Sequence, residues 1–166
     1  MNLIGEGRVM KLYFLRHAEA EDAPVDDGRR LTGRGRKDAR RLGRYFRKTG
    51  VAWDLVFTSP LVRAVETAAQ VLKECPQGGK VRPVEVEVLR NGATAAGFFR
   101  WLRGLPEAES VLLVGHEPSL SGWVRRLIGV EGEEALPLAK ASFARVDTAD
   151  RRKGTLRLLI GAKFLA

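Results

Sequence analysis

A chain of 166 residues, 45% of them hydrophobic, has the size of one domain and can bury a core of its own. Its 29 Lys and Arg against 20 Asp and Glu give a formal net charge of +9, which favours anionic partners without saying which. No run approaches the roughly 18–20 apolar residues that span a bilayer, the N-terminus lacks an export pattern, and the single cysteine excludes an intrachain disulfide, so the reading is a cytoplasmic protein with no membrane partner.

Residues 9–15 are apolar and rich in strand formers, and the polar segment behind them ends a first strand at Arg16. Thr32 is suited to cap a helix over residues 33–48, where Ala39, Leu42 and Phe46 fall at helical spacing and Gly50 ends the run. A second strand covers residues 55–58. Ser59 and Pro60 then read as cap and first turn of a helix to about residue 72, with Arg63 in that first turn. The glycine-containing, charged run 76–83 shows no periodicity and reads as a loop, and residues 84–89 read as a strand. Thr94 caps a third helix striped by Phe98, Leu102 and Leu105. Residues 111–114 are an uninterrupted apolar strand ending at Gly115 and His116, with a helix over 118–128 behind them. Residues 142–146 and 155–160, parted by a charged turn, pair as a hairpin. The alternation predicts an α/β fold: a three-layer α/β/α sandwich with a mostly parallel central sheet and antiparallel pairing near its C-terminal edge.

In open sheets of this kind, ligands gather beyond the carboxyl ends of the strands, where helix N-termini offer N–H groups to anions. Arg16, His17, Arg63 and His116 all fall at or just past such ends, and the two distant segments that carry the histidines are expected to share one crevice. Phosphoryl transfer needs a nucleophile, donors around the equatorial oxygens and a proton for the leaving group. A neutral imidazole supplies the first, and two guanidiniums with a second imidazole supply donors in planar, charge-assisted geometry. With two histidines and one cysteine the chain has too few ligands for a zinc site of ordinary type, and this chemistry calls for no cofactor.

The same residues carry a resemblance. Leu12 to Ala20, ending Arg16-His17-Ala18-Glu19-Ala20, is similar to the signature of the histidine phosphatase superfamily, whose phosphoglycerate mutase-like fold is α/β. The second match is Thr58-Ser59-Pro60-Leu61 through Arg63-Ala64 to Glu66-Thr67-Ala68, and the third is Val114-Gly115-His116-Glu117-Pro118. It runs from Met10 almost to the C-terminus, which makes residues 10–166 one domain and residues 1–9 an extension. The short length and the segment ending Arg29-Arg30-Leu31-Thr32 resemble most closely the SixA-type phosphohistidine phosphatases. The resemblance implies His17 as nucleophile, Arg16, Arg63 and His116 as the phosphate pocket, and Arg29 as an additional substrate-side arginine. Larger members take a proton from a glutamate whose likeliest counterpart here is Val88; Glu87 lies one residue out of register, turned to the opposite face if the segment is a strand. Asp26 is therefore the preferred acid, with Asp27 and Glu19 as alternatives. A phosphoramidate, whose imidazole leaving group protonates readily, would tolerate a poorly placed acid, and this points to phosphohistidine or another activated phosphate.

The expected substrate is thus a phosphorylated protein or a small phosphorylated metabolite, handled by a monomer. Mutase activity is disfavoured because insertions to cover a diphosphorylated intermediate are absent. A non-catalytic alternative is a basic module for phosphoprotein or nucleic acid, since Arg34, Arg36, Lys37, Arg40, Arg41, Arg44, Arg47 and Lys48 leave Asp38 as the one acid of the first helix. Slight aromatic interleaving disfavours nucleic acid. The run from Cys75 to Arg82 is one residue too long for a cysteine phosphatase loop, and Gly78-Gly79-Lys80 lacks the strand and hydroxyl of a nucleotide loop. Trp53, Trp101 and Trp123 are assigned to packing. Because the family pattern begins at Met10, translation is expected to start there, which intact mass of the native protein would test.

Overall fold

The computed structural model describes residues 7–75 and 80–166, so the first six residues of the extension and the Gly78-Gly79 pair lie outside the described residues. Strand β1 (Met10–Arg16) leads through helix α1 (Gly33–Lys48) to β2 (Leu55–Thr58), and α2 (Val62–Lys73) leads to β3 (Val84–Glu85). Helix α3 (Ala95–Arg103), strand β4 (Ser110–Gly115) and helix α4 (Ser119–Ile128) follow, and β5 (Ser142–Thr148) and β6 (Thr155–Gly161) close the chain as a hairpin. The sheet order is β3-β2-β4-β1-β5-β6. The first four of these run parallel, while β5 is antiparallel to both β1 and β6.

Alternation along the central strands explains the layers. Leu12 and Phe14 of β1, with Val111 and Leu113 of β4, pack among Phe98, Leu102, Trp123 and Val124 of α3 and α4. Tyr13 and Leu15, with Leu112 and Val114, pack instead among Ala39, Leu42 and Phe46 of α1 and Ala64, Ala68 and Val71 of α2. Both faces are therefore buried, which is why these strands read as continuous apolar runs. Each fully buried Phe or Leu contributes about 1.5–3 kcal/mol relative to its exposed state. The tryptophans belong to this packing: Trp123 stacks on Phe98 with centroids 3.9 Å apart, Trp53 meets Tyr13 edge-on at 4.8 Å, and Trp101 meets Phe57 edge-on at 4.8 Å.

Two helices approach their neighbours through glycine. A Cβ at Gly35 would run into the Glu19 carbonyl, and one at Gly43 into the Val71 carbonyl of α2. The first contact seats α1 against the loop that leaves β1, two residues beyond His17.

Two local expectations are corrected. Residues 84–89 are a two-residue strand followed by a 3-10 turn over Glu87–Leu89, because β3 is an edge with pairing to β2 only, and the turn carries Leu89 into the core. Helix α2 begins at Val62 with Leu61 as N-cap, not at Ser59 and Pro60. The Ser59 hydroxyl accepts from Leu61 N at 3.2 Å in a turn ahead of the helix and is committed elsewhere as well. Among the described residues, no helix is long and apolar enough to cross a membrane.

Candidate active site

The carboxyl ends of β1, β2 and β4 lie side by side, since β1 and β2 both pair with β4. Their backbones are tied past the last strand residues: His17 N donates to Gly115 O at 3.0 Å, and Ser59 N to Val114 O at 2.9 Å. His17 is further held through Ala141 N, which donates to its carbonyl at 3.2 Å, and Ala18 N donates to Thr67 Oγ1 at 3.0 Å. That hydroxyl in turn donates to Arg63 O at 2.7 Å, so one threonine of α2 couples the His17 segment to the turn that presents Arg63.

His17 and His116, ninety-nine residues apart in sequence, meet with ring centroids at 5.2 Å. His17 Nδ1 lies 2.7 Å from Ala18 O, and because a carbonyl only accepts, Nδ1 carries the proton and Nε2 keeps its lone pair. Arg63 Nε donates to that Nε2 at 3.3 Å. Arg16 is anchored through Nη1 to Leu138 O at 3.0 Å, while its Nε and His116 Nδ1 are buried with no hydrogen-bond partner among the described residues. Buried polar nitrogens of this kind, the Arg16 N–H among them, fit an anion that they can share.

Electrostatics keep both imidazoles neutral. Burial pulls His17 down to about 4; the Ala18 hydrogen bond opposes this in part, and the charges of Arg63, Arg16 and Lys140 reinforce it. His116 falls to about 3, again first through burial and then through His17 and Arg63, with Asp26 opposing. A neutral, bare Nε2 among guanidiniums is the form of imidazole that can attack phosphorus.

Asp26 joins the cluster. Its carboxylate lies 3.1 Å from Arg63 Nη2 and 3.3 Å from Arg29 Nη1, and its carbonyl accepts from Arg63 Nη1 at 2.9 Å. Slight burial raises its pKa, but the hydrogen bonds and charges of Arg63 and then Arg29 outweigh that and hold the carboxyl below its ordinary value. Arg29 thus reaches the histidines through Asp26, and its Nε donates to Glu21 O at 2.9 Å. Asp27 pairs with Arg90 at 3.1 Å, and Glu19 accepts from the capping Thr32 hydroxyl at 2.8 Å. Glu87, in a turn where strand alternation has no bearing, pairs with the same Arg90 at 3.1 Å.

Sequence reasoning missed three contributors. Ser59 Oγ lies 2.8 Å from His116 Nε2, Thr67 makes the coupling above, and Glu66 accepts from Leu31 N at 2.7 Å and Arg30 Nε at 3.0 Å, tying the loop after β1 to α2. All three stood inside matched motifs, and that placement was the available signal.

Comparison with known proteins places the chain in a family. A family model described as the histidine phosphatase superfamily (branch 1) matches residues 12–91, which include His17 and Arg63. An uncharacterised protein of Picosynechococcus sp. is 31% identical over 140 residues, 81% of this chain and 82% of that one. The mitochondrial serine/threonine-protein phosphatase Pgam5 of Drosophila virilis is 31% identical over 77% of the chain, and the chain spans about half, 54%, of that longer protein. Among solved structures, the protein histidine phosphatase SixA complexed with tungstate superposes with a TM-score of 0.85 at 22% identity, covering 93% of this chain and 99% of that one, and shows the same fold. With its matched motifs gathered at one end of one sheet and a relative aligned along most of both lengths, the chain belongs to the histidine phosphatase superfamily.

Proposed function

We propose that the protein is a phosphatase that hydrolyses protein phosphohistidine through a phosphohistidine intermediate on His17. The observation that carries this reading is the bare His17 Nε2 held 3.3 Å from Arg63 Nε and beside a second neutral imidazole. In the first step the Nε2 lone pair attacks phosphorus, the bond from phosphorus to the leaving nitrogen breaks, and its electron pair stays on the leaving imidazole, which takes up a proton from water or, once the bound phosphoryl group has drawn Arg63 away and Asp26 is protonated, from that carboxyl. Arg16, Arg63 and His116 hold the equatorial oxygens. In the second step water attacks phosphorus, its proton passes to Asp26, and the Nε2–P bond breaks to free inorganic phosphate and His17.

Asp26 supports the choice of leaving group. Its two arginine partners keep it ionised in the free protein, which makes it a poor proton donor until a phosphoryl dianion draws Arg63 away. An imidazole, with an ordinary pKa near 6.5, needs that donor far less than an alkoxide does. Arg29, bridged by Asp26, is assigned to the substrate side of the pocket. The fold likeness to SixA, called a protein histidine phosphatase, agrees with this reading, while the Pgam5 relatives make protein phosphoserine or phosphothreonine the second one.

A metal-free comparison of a phosphohistidine protein, a phosphoserine peptide and small phosphomonoesters tests the proposal. The expected result is kcat/KM highest for phosphohistidine. A preference for phosphoserine or for a small monoester would refute the substrate assignment.

A further inference from the structure

Ser59 is buried at 0% exposure, so its hydroxyl proton needs an acceptor within the protein. Among the described residues its Oγ has two hydrogen-bond contacts: Leu61 N at 3.2 Å and His116 Nε2 at 2.8 Å. Leu61 N–H can only donate, and it occupies a lone pair of the oxygen. The hydroxyl proton therefore goes to His116 Nε2.

We infer that Ser59 is a positioning residue that fixes the tautomer of His116: by donating to Nε2 it places the ring proton on Nδ1, leaving Nδ1–H as the ring's one remaining donor. His116 Nδ1 is the atom that is buried without a hydrogen-bond partner among the described residues, so the tautomer puts the hydrogen where a substrate oxygen can use it. His17 is in the same tautomer for a different reason, its Nδ1–H being fixed by Ala18 O. Two histidines in one protonation form thus take opposite roles, one offering a lone pair and the other a donor. The opposite His116 tautomer would put Nε2–H against an oxygen already receiving Leu61 N–H, strand the buried Ser59 proton, and turn a lone pair of Nδ1 toward any anion it met. The role of Nδ1–H as an oxyanion donor rests on the phosphatase reading, whereas the tautomer itself does not.

The protein has two histidines, so its ring nitrogens give four resonances in a long-range ¹H–¹⁵N correlation spectrum of the ¹⁵N-labelled full chain at pH 7. The expected result is a protonated Nδ1 and a bare Nε2 for His116, with a mixed or reversed pattern in Ser59→Ala and kcat lowered about 10- to 100-fold, below the loss that follows removal of a whole oxyanion donor. Wild-type His116 protonated on Nε2 would overturn the inference, and it requires no variant to fold. An unchanged nitrogen pattern in Ser59→Ala would also overturn it, since something other than Ser59 would then set the tautomer. If the chain hydrolyses no phosphate, the functional reading fails and the nitrogen pattern alone decides the assignment.

Discussion

The uncharged state of His17 is open to direct titration. An ordinary histidine with a pKa near 6.5 is about 3% neutral at pH 5, whereas one at about 4 is about 90% neutral, a difference of about 30-fold in usable nucleophile. The sign for stability follows from linkage. Between about 4 and 6.5 the unfolded chain binds the proton that the folded chain refuses, so folding stability rises with pH across that window and is lost as pH falls through it. For His17 alone the loss approaches about 3 kcal/mol once pH is below the folded value, and His116, at about 3, adds to it in the same direction. Ring-proton NMR of the free protein from pH 7 to 4 is the assay, and two histidines make the assignment simple. Both rings should remain neutral at pH 5 while urea midpoints fall steadily from pH 7 to 4.5. A midpoint near 6.5 for either ring would refute the argument, because it would mean that burial and the neighbouring guanidiniums do not act on the pair as described.

Two substitutions probe the surroundings. Asp26→Asn should slow hydrolysis of esters with basic alcohol leaving groups more than that of phosphohistidine, in a leaving-group series read by steady-state kcat; equal slowing across the series would remove Asp26 as the proton donor. Gly35→Ala should lower folding stability by about 1–3 kcal/mol, read from the urea midpoint, because the new methyl meets the backbone carbonyl of Glu19 and the loop must shift. That shift should also lower kcat, since Glu19 follows His17 by two residues; a wild-type midpoint would refute the close approach of α1 to this loop.

The layers of the fold were legible because β1 and β4 are buried on both faces and so are mostly apolar, with His17 and His116 each just past the last strand residue. The same pattern put His17 and His116 at neighbouring strand ends before any geometry was known. What could not be read were features set by partners far away in sequence. Residues 84–89 have strand composition throughout, yet the edge position of β3 allows only two residues of pairing before the turn that buries Leu89. Ser59 has the composition of a cap, but His116, fifty-seven residues on, claims its hydroxyl. Asp26 lies in a polar loop with no periodicity, and its bridge between Arg29 and Arg63 exists only because α2 brings Arg63 under that loop.

The covalent intermediate is the most direct test of the whole account. The protein, mixed for milliseconds with a ³²P-labelled phosphoryl donor and quenched, should carry acid-labile, base-stable label approaching one phosphoryl group per chain, mapped by mass spectrometry to residue 17. The His17→Ala variant should carry none and turn nothing over. Label on another residue, or turnover that survives in His17→Ala, would contradict the assignment of that imidazole as the nucleophile.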